Sequence, residues 1–78
     1  MVIIGEIQKN QKEKIIVGIN EFKGHQYVDL RVHFEDEQSG EYKPTKKGIA
    51  LSSRIIPEVV ELIVQGAEQL NDISDIPA

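Results

Sequence analysis

The chain contains no cysteine and no tryptophan among its 78 residues, and only three prolines, two histidines, two tyrosines and two phenylalanines. Without cysteine there is no disulfide framework and no thiolate metal site, and His25 and His33 cannot fill a zinc shell unaided. No metal and no cofactor are expected, and nothing calls for an oxidising compartment. No apolar run approaches the roughly 18 residues of a membrane span, and Met1 to Asn10 lacks the charged start and continuous apolar stretch of a signal peptide. The expectation is a cytoplasmic protein without membrane association. Catalytic patterns are missing as well. Gly40 and Gly48 are not followed by the Gly-Lys-Ser/Thr of a phosphate-binding loop, and no nucleophile beside a base, carboxylate pair or metal cluster stands out. His33 reads as a surface or sheet-flank residue rather than a general base. Enzymatic activity is not expected.

A chain this short forms one domain and buries only about 60% of the surface its unfolded form exposes, so it is marginal alone and suited to self-association. The net charge of −4 argues mildly against a polyanionic partner. Its distribution is uneven. Residues 1–54 hold all nine Lys and Arg against eight acids, whereas residues 55–78 hold five acids and no base.

Ile15, Val17 and Ile19 alternate with Lys14, Ile16, Gly18 and Asn20, the period-2 pattern of a half-buried strand, and Phe22 falls on the Lys14 side. Phe22-Lys23-Gly24-His25 is turn-like, with Gly24 free to take a positive φ. In the next strand Val28, Leu30 and Val32 point one way, and Tyr27, Asp29, Arg31 and His33 the other. Glu35 to Gly40 reads as a polar turn. Glu41 to Lys43 reads as a short strand stopped by Pro44, Thr45 to Gly48 as a basic turn, and Ile49 to Leu51 as a last short strand. Val2 to Ile7 is a candidate further edge strand. From Ile55 to Leu70 the period becomes helical, with Ser52 or Ser53 as candidate caps and Pro57 pushing the start towards Ile56. One stripe runs Ile56, Val60, Ile63, Ala67, Leu70, and a second runs Ile55, Val59, Leu62, Gly66. That arc is wider than packing on one sheet requires, so the helix calls for a second partner. Gly66 costs about 1 kcal/mol against Ala in a helix interior, which is easier to understand if two backbones approach there. The expected order is strands, then one helix, over residues 1–70, with 71–78 an acidic mobile tail.

Bases and aromatics are interleaved along the expected sheet: Lys12, Lys14, Phe22, Lys23, Arg31, Phe34, Tyr42, Lys43, Lys46 and Lys47. Exposed rings stack on unpaired bases while cations follow the phosphates, so the set suits a single strand of nucleic acid. The same pattern also describes an ordinary solvated strand face with core phenylalanines.

Asn20-Glu21-Phe22-Lys23-Gly24, Val28-Asp29-Leu30-Arg31 and, above all, Gly40-Glu41-Tyr42-Lys43-Pro44-Thr45-Lys46-Lys47-Gly48-Ile49-Ala50-Leu51 resemble one family. It is that of the transcriptional coactivator positive cofactor four and its prokaryotic and viral relatives. The resemblance covers about residues 13 to 70. It implies an α+β fold, a curved four-stranded antiparallel sheet followed by one C-terminal helix. It further implies a homodimer whose interface takes in Ile55, Ile56, Val59, Val60, Leu62, Ile63 and Gly66, and binding of single-stranded DNA across the sheet. The family's nucleic-acid residues carry over to Phe22, Lys23, Arg31, Phe34, Lys43 and Lys47. Lys46 lies in the same segment, Lys12 and Lys14 stand near the family's basic start of the first strand, and His25 takes a position where a base is usual. Strict alternation sets Phe34 on the face opposite Arg31; a bulge or strong twist near His33 would reconcile the two, and without one Phe34 is core.

The implied setting is a bacterial cell or virus-infected host cell, associated with the nucleoid and serving transcription, replication, recombination or repair. The last residues, Asp72 to Ala78, faintly resemble the acidic tip of bacterial single-strand-binding proteins, with Ala78 where that tip has Phe. Two other readings stay open. A protein-interaction dimer could recruit replication, recombination or transcription proteins. A duplex-DNA regulator would need a groove-reading element, and the one expected helix is acidic and apolar.

Overall fold

The computed structural model describes residues 1–70; the expected acidic tail, 71–78, lies outside the described residues. Four strands, β1 (Val2–Gln8), β2 (Glu13–Phe22), β3 (His25–Glu35) and β4 (Tyr42–Ser52), precede one helix, α1 (Ile56–Gln69). The strands pair in chain order as an antiparallel meander, β1-β2-β3-β4. The α+β architecture therefore agrees with the expected one.

Each connection has a local cause. Between β1 and β2 the Asn10 Oδ1 accepts from the backbone N–H groups of Lys12 (3.0 Å) and Glu13 (2.9 Å), an Asx turn. Lys23 (φ 52) and Gly24 (φ 81) both lie in the left-handed region, the two-residue turn whose twist matches a hairpin. Lys23 is thus held at the hairpin tip in a conformation that few non-glycine residues adopt. The β3–β4 turn closes through Asp36, whose N–H donates to the Glu41 carbonyl (2.8 Å) and whose carbonyl accepts from Gly40 (2.7 Å).

β4 departs from expectation. Pro44 does not stop it, because β4 is the sheet edge and a missing N–H can face solvent there. Thr45 to Gly48 is not a turn but part of one strand. Arg31 pairs with Gly48 and His33 with Pro44, so Val32 alone of β3 stands opposite Thr45, Lys46 and Lys47. The surplus forms a bulge that leaves both strands intact. β1 is the other edge, with its own irregularity between Ile3 and Gly5.

The helix begins at Ile56 with Ile55 as N-cap and no side-chain cap, so neither Ser52 nor Ser53 acts in that role. Pro57 lies in the first turn, where its missing N–H leaves no helical bond unmade. No residue of α1 is buried. It comes near the sheet at Ile56, which shares a cleft of about 180 Å³ with Ile19, Tyr27, Val28 and Ser53. Leu62 (65% exposed) and Ile63 (60%) have no cover. At 14 residues α1 is also too short to cross a membrane, and no described helix is long and apolar enough to do so.

The sheet's burial is the reverse of a simple alternation reading. Ile15, Val17, Ile19, Val28, Leu30 and Val32 are only half-buried, while Ile16 and Gly18 on the other face are buried. Among the described residues the buried apolar side chains are Ile16 and Leu51. The described residues therefore close almost no core. His33 is a correction too: it is 7% exposed rather than a surface residue, because it sits on the central strand between Lys14 and Pro44. Its Nδ1 lies 3.2 Å from the Arg31 carbonyl.

Candidate nucleic-acid interface

The β2–β3 pairing runs without a break from Phe22↔His25 to Glu13↔Phe34. Unbroken pairing preserves alternation, so Lys14, Ile16 and Phe22 of β2 share one face with His25, Tyr27, Asp29, Arg31 and His33 of β3. At the hairpin end of that face Phe22 is 65% exposed, and the Lys23 ammonium lies 5.4 Å from the centre of its ring. Phe22, Lys23 and Tyr27, with Ala50 and Ser52, line an open cleft of about 580 Å³. A second open cleft of about 740 Å³ shares His25, Gln26 and Ser52 with it and reaches Arg54. Tyr27 and Arg54 were not among the expected site residues. Alternation already set Tyr27 on the Arg31 face, whereas Arg54 joins only because β4 ends beside the β2–β3 turn.

At the opposite end each lysine is bonded to a carboxylate. Lys12 Nζ donates to Glu37 (2.7 Å), Lys14 Nζ to Glu6 (2.9 Å), and Lys43 Nζ lies 2.7 Å from Asp36. The Lys14 ammonium also sits 4.3 Å over the Tyr42 ring. These bonds favour the charged forms: hydrogen bonds from Lys12 and Lys43 hold the Glu37 and Asp36 carboxyls below the usual carboxylate range. Correspondingly, Glu37 and Glu6 raise Lys12 and Lys14. Phe34, 45% exposed, stands in register with Glu13 and Lys43. The anticipated irregularity exists, between Arg31 and His33, but the extra residues belong to β4. Phe34 is exposed rather than core, but the bulge does not turn it: it keeps the face of Val28, Leu30 and Val32, opposite Phe22 and Arg31.

Between the two ends lies the β4 bulge with Lys46 and Lys47. Among the described residues neither forms an ion pair, nor do Lys23 and Arg54. Arg31 is different. Its Nε and Nη2 donate to the Asp29 carboxylate (3.2 and 2.8 Å), and its Nη1 to the carbonyls of Thr45 (3.4 Å) and Lys46 (3.1 Å). The hydrogen bond to Asp29 pushes the Arg31 pKa further up.

On the expected interface helix, Ile56 and Val59 are half-buried, and Ile55, Val60, Leu62, Ile63 and Gly66 are exposed. Among the described residues no group of three His, Asp or Glu could hold a metal ion. The arrangement offers exposed π-faces, free cations and an open surface.

Known structures share this fold. A PC4 homologue from Burkholderia pseudomallei superposes with a TM-score of 0.80 at 24% identity, over 87% of this chain and 90% of the other. MoSub1, solved in complex with single-stranded DNA, matches with a TM-score of 0.52 at 25% identity, over 95% and 93%. The bacteriophage T5 homologue of the eukaryotic coactivator PC4, implicated in recombination-dependent DNA replication, matches with a TM-score of 0.53 at 21% identity, over 82% and 73%. No curated protein sequence matches significantly. The family described as Transcriptional Coactivator p15 (PC4) matches residues 9–62, more than half of the chain, and the chain belongs to that family.

Proposed function

We propose that this protein is a non-enzymatic homodimer that binds single-stranded DNA on the sheet face, in transcription or in DNA replication, recombination or repair within the cytoplasm. The observation that carries the reading is Phe22. A phenylalanine largely exposed at a hairpin tip, with a lysine beside its ring and an open cleft against it, has no role in a core and suits stacking on an unpaired base. Lys23 beside it, and Lys46 and Lys47 on the β4 bulge farther along the sheet, supply cations for the backbone, and Lys14 continues the same face; Lys12, Lys43 and Phe34 stand at the far end, where a strand would have to pass round the sheet to reach the Phe34 ring. From the Phe22–His25 pair to Phe34 the length of β3 is about 30 Å, nine residue steps at roughly 3.3 Å each. The MoSub1 complex with single-stranded DNA supports the same ligand.

What one chain leaves uncovered supports the dimer. A helix with two apolar stripes and no buried residue does not stabilise a monomer. A second copy, packing through Ile55, Ile56, Val59, Val60, Leu62, Ile63 and Gly66, would cover it, and open space around Gly66 leaves room for close approach. The exposed apolar residues of edge strand β1, Val2, Ile3, Ile4 and Ile7, favour a second reading, a module that recruits replication or transcription proteins.

Titration of a fluorescent single-stranded oligonucleotide against the same sequence as a duplex tests the ligand. Preference for the single strand, with log K falling by about 0.7 per neutralised phosphate per decade of salt, is expected; equal affinity for duplex, or no salt dependence, would contradict it. For the dimer, Ile63→Glu is expected to give an unfolded or monomeric chain in sedimentation, and a stable folded monomer of the parent would refute the interface.

A further inference from the structure

Resting on the single-strand reading above, we propose that Arg31 is not a phosphate contact but a positioning residue, which with Asp29, Gly48 and Thr45 forms a clamp that holds the β4 bulge and so presents Lys46 and Lys47 to the DNA backbone. A bulge of three residues against one removes ladder bonds and leaves backbone carbonyls in need of donors. Arg31 Nη1 supplies two of them, reaching the Thr45 and Lys46 carbonyls, while Asp29 fixes the other side of the fork through two oxygens. Four of the five guanidinium N–H groups are thereby engaged within the chain. A phosphate would have to displace a carboxylate held at 2.8 Å.

Gly48 makes the path possible. It is the register partner of Arg31, and a Cβ there would fall 2.5 Å from the Leu30 carbonyl oxygen, 2.7 Å from Arg31 Cζ and 2.8 Å from Nε, against both the β3 backbone and the guanidinium. Only a residue without a side chain lets the guanidinium cross β4 to the bulge. Thr45 fastens the other flank: its Oγ1 donates to the Val32 carbonyl (2.7 Å) and accepts from the Lys47 N–H (3.2 Å). Both lysines are thus fixed by their backbone, one through its carbonyl and one through its N–H, and their side chains are free of ion pairs among the described residues.

The sign of one substitution separates clamp from contact. Asp29→Asn removes a negative charge from a surface that binds a polyanion. If Arg31 were a phosphate contact restrained by Asp29, the variant would bind oligo-dT as tightly as the parent or more tightly. The clamp predicts several-fold weaker binding and a salt slope shallower by about 1.4, two single-strand phosphates at about 0.7 each. It also predicts that Asp29→Asn changes nothing further in a chain already carrying Lys46→Ala and Lys47→Ala, whereas general damage to the fold would weaken binding in both backgrounds. Arg31→Lys, which keeps the charge but not the fork, should behave as Asp29→Asn does. Thr45→Val, a milder loosening of the same bulge, repeats the cycle if either variant loses its thermal transition. Tighter or unchanged binding by these variants, or a loss that persists without Lys46 and Lys47, would overturn the clamp. Failure of the parent to bind oligo-dT in the same titration would instead overturn the single-strand reading.

Discussion

The two ends of the sheet carry similar residues in different states. At the hairpin end, Phe22 and Lys23 stand beside each other and Lys23 has no carboxylate partner among the described residues. At the other end Phe34 is accompanied by Lys12, Lys14 and Lys43, each bonded to an acid at 2.7 to 2.9 Å. Counting bases along the chain treats these ends alike. Their geometry does not, because a lysine already holding Glu37 or Asp36 must exchange one anion for another before a phosphate gains anything. Affinity is therefore expected to concentrate at the hairpin end and the bulge.

Replacing the rings tests that contrast most severely. Phe22→Ala should weaken single-strand binding by about 1–3 kcal/mol if the ring stacks, and Phe34→Ala should weaken it less, in a titration with oligo-dT at fixed salt. An equal loss at both positions would erase the difference between the ends. A Phe22→Ala chain that failed to fold would show instead that the ring supports the hairpin.

Much of this was legible in the sequence, and the reasons for the remainder are specific. Alternation over Lys14 to Asn20 and Tyr27 to His33 identified the central hairpin and its two faces, since that signal is local. It did not reveal that Ile16 and His33 are more buried than Ile15 or Val32, because burial depends on which side chains cross a face. Pro44 and Thr45-Lys46-Lys47-Gly48 read as a strand end and a turn. They are part of an edge strand because β3 pairs with β4 on both sides of the bulge and Arg31 ties down the surplus residues. Lys12 and Glu37 are 25 residues apart, so their bond is visible only once the β1–β2 and β3–β4 turns are brought to the same end.

The lysines provide the next test. Lys46→Ala and Lys47→Ala should each make the salt dependence shallower by about 0.7 without changing the fold, since each removes a free cation. Lys12→Ala and Lys43→Ala should change it less, since each also frees a carboxylate. Slopes that shift equally for all four variants would mean that the acids do not compete.

The smallest expected effect has the opposite direction. Glu37→Gln together with Asp36→Asn releases Lys12 and Lys43, and should tighten single-strand binding by about threefold at low salt, fading as salt screens the surface. Neutral or weaker binding would show that these acids organise the β3–β4 turn, where Asp36 also accepts from the Gln38 N–H at 3.0 Å, rather than withhold the lysines.

The central claim is that unpaired DNA lies on the sheet face, anchored at its hairpin end. Backbone amide NMR of the full chain titrated with a short oligo-dT tests it most directly. Perturbations should be largest at Phe22, Lys23, Tyr27, Lys46 and Lys47 and smaller near Phe34. Perturbations confined to α1 or to edge strand β1, with the β2–β3 hairpin unmoved, would contradict the account.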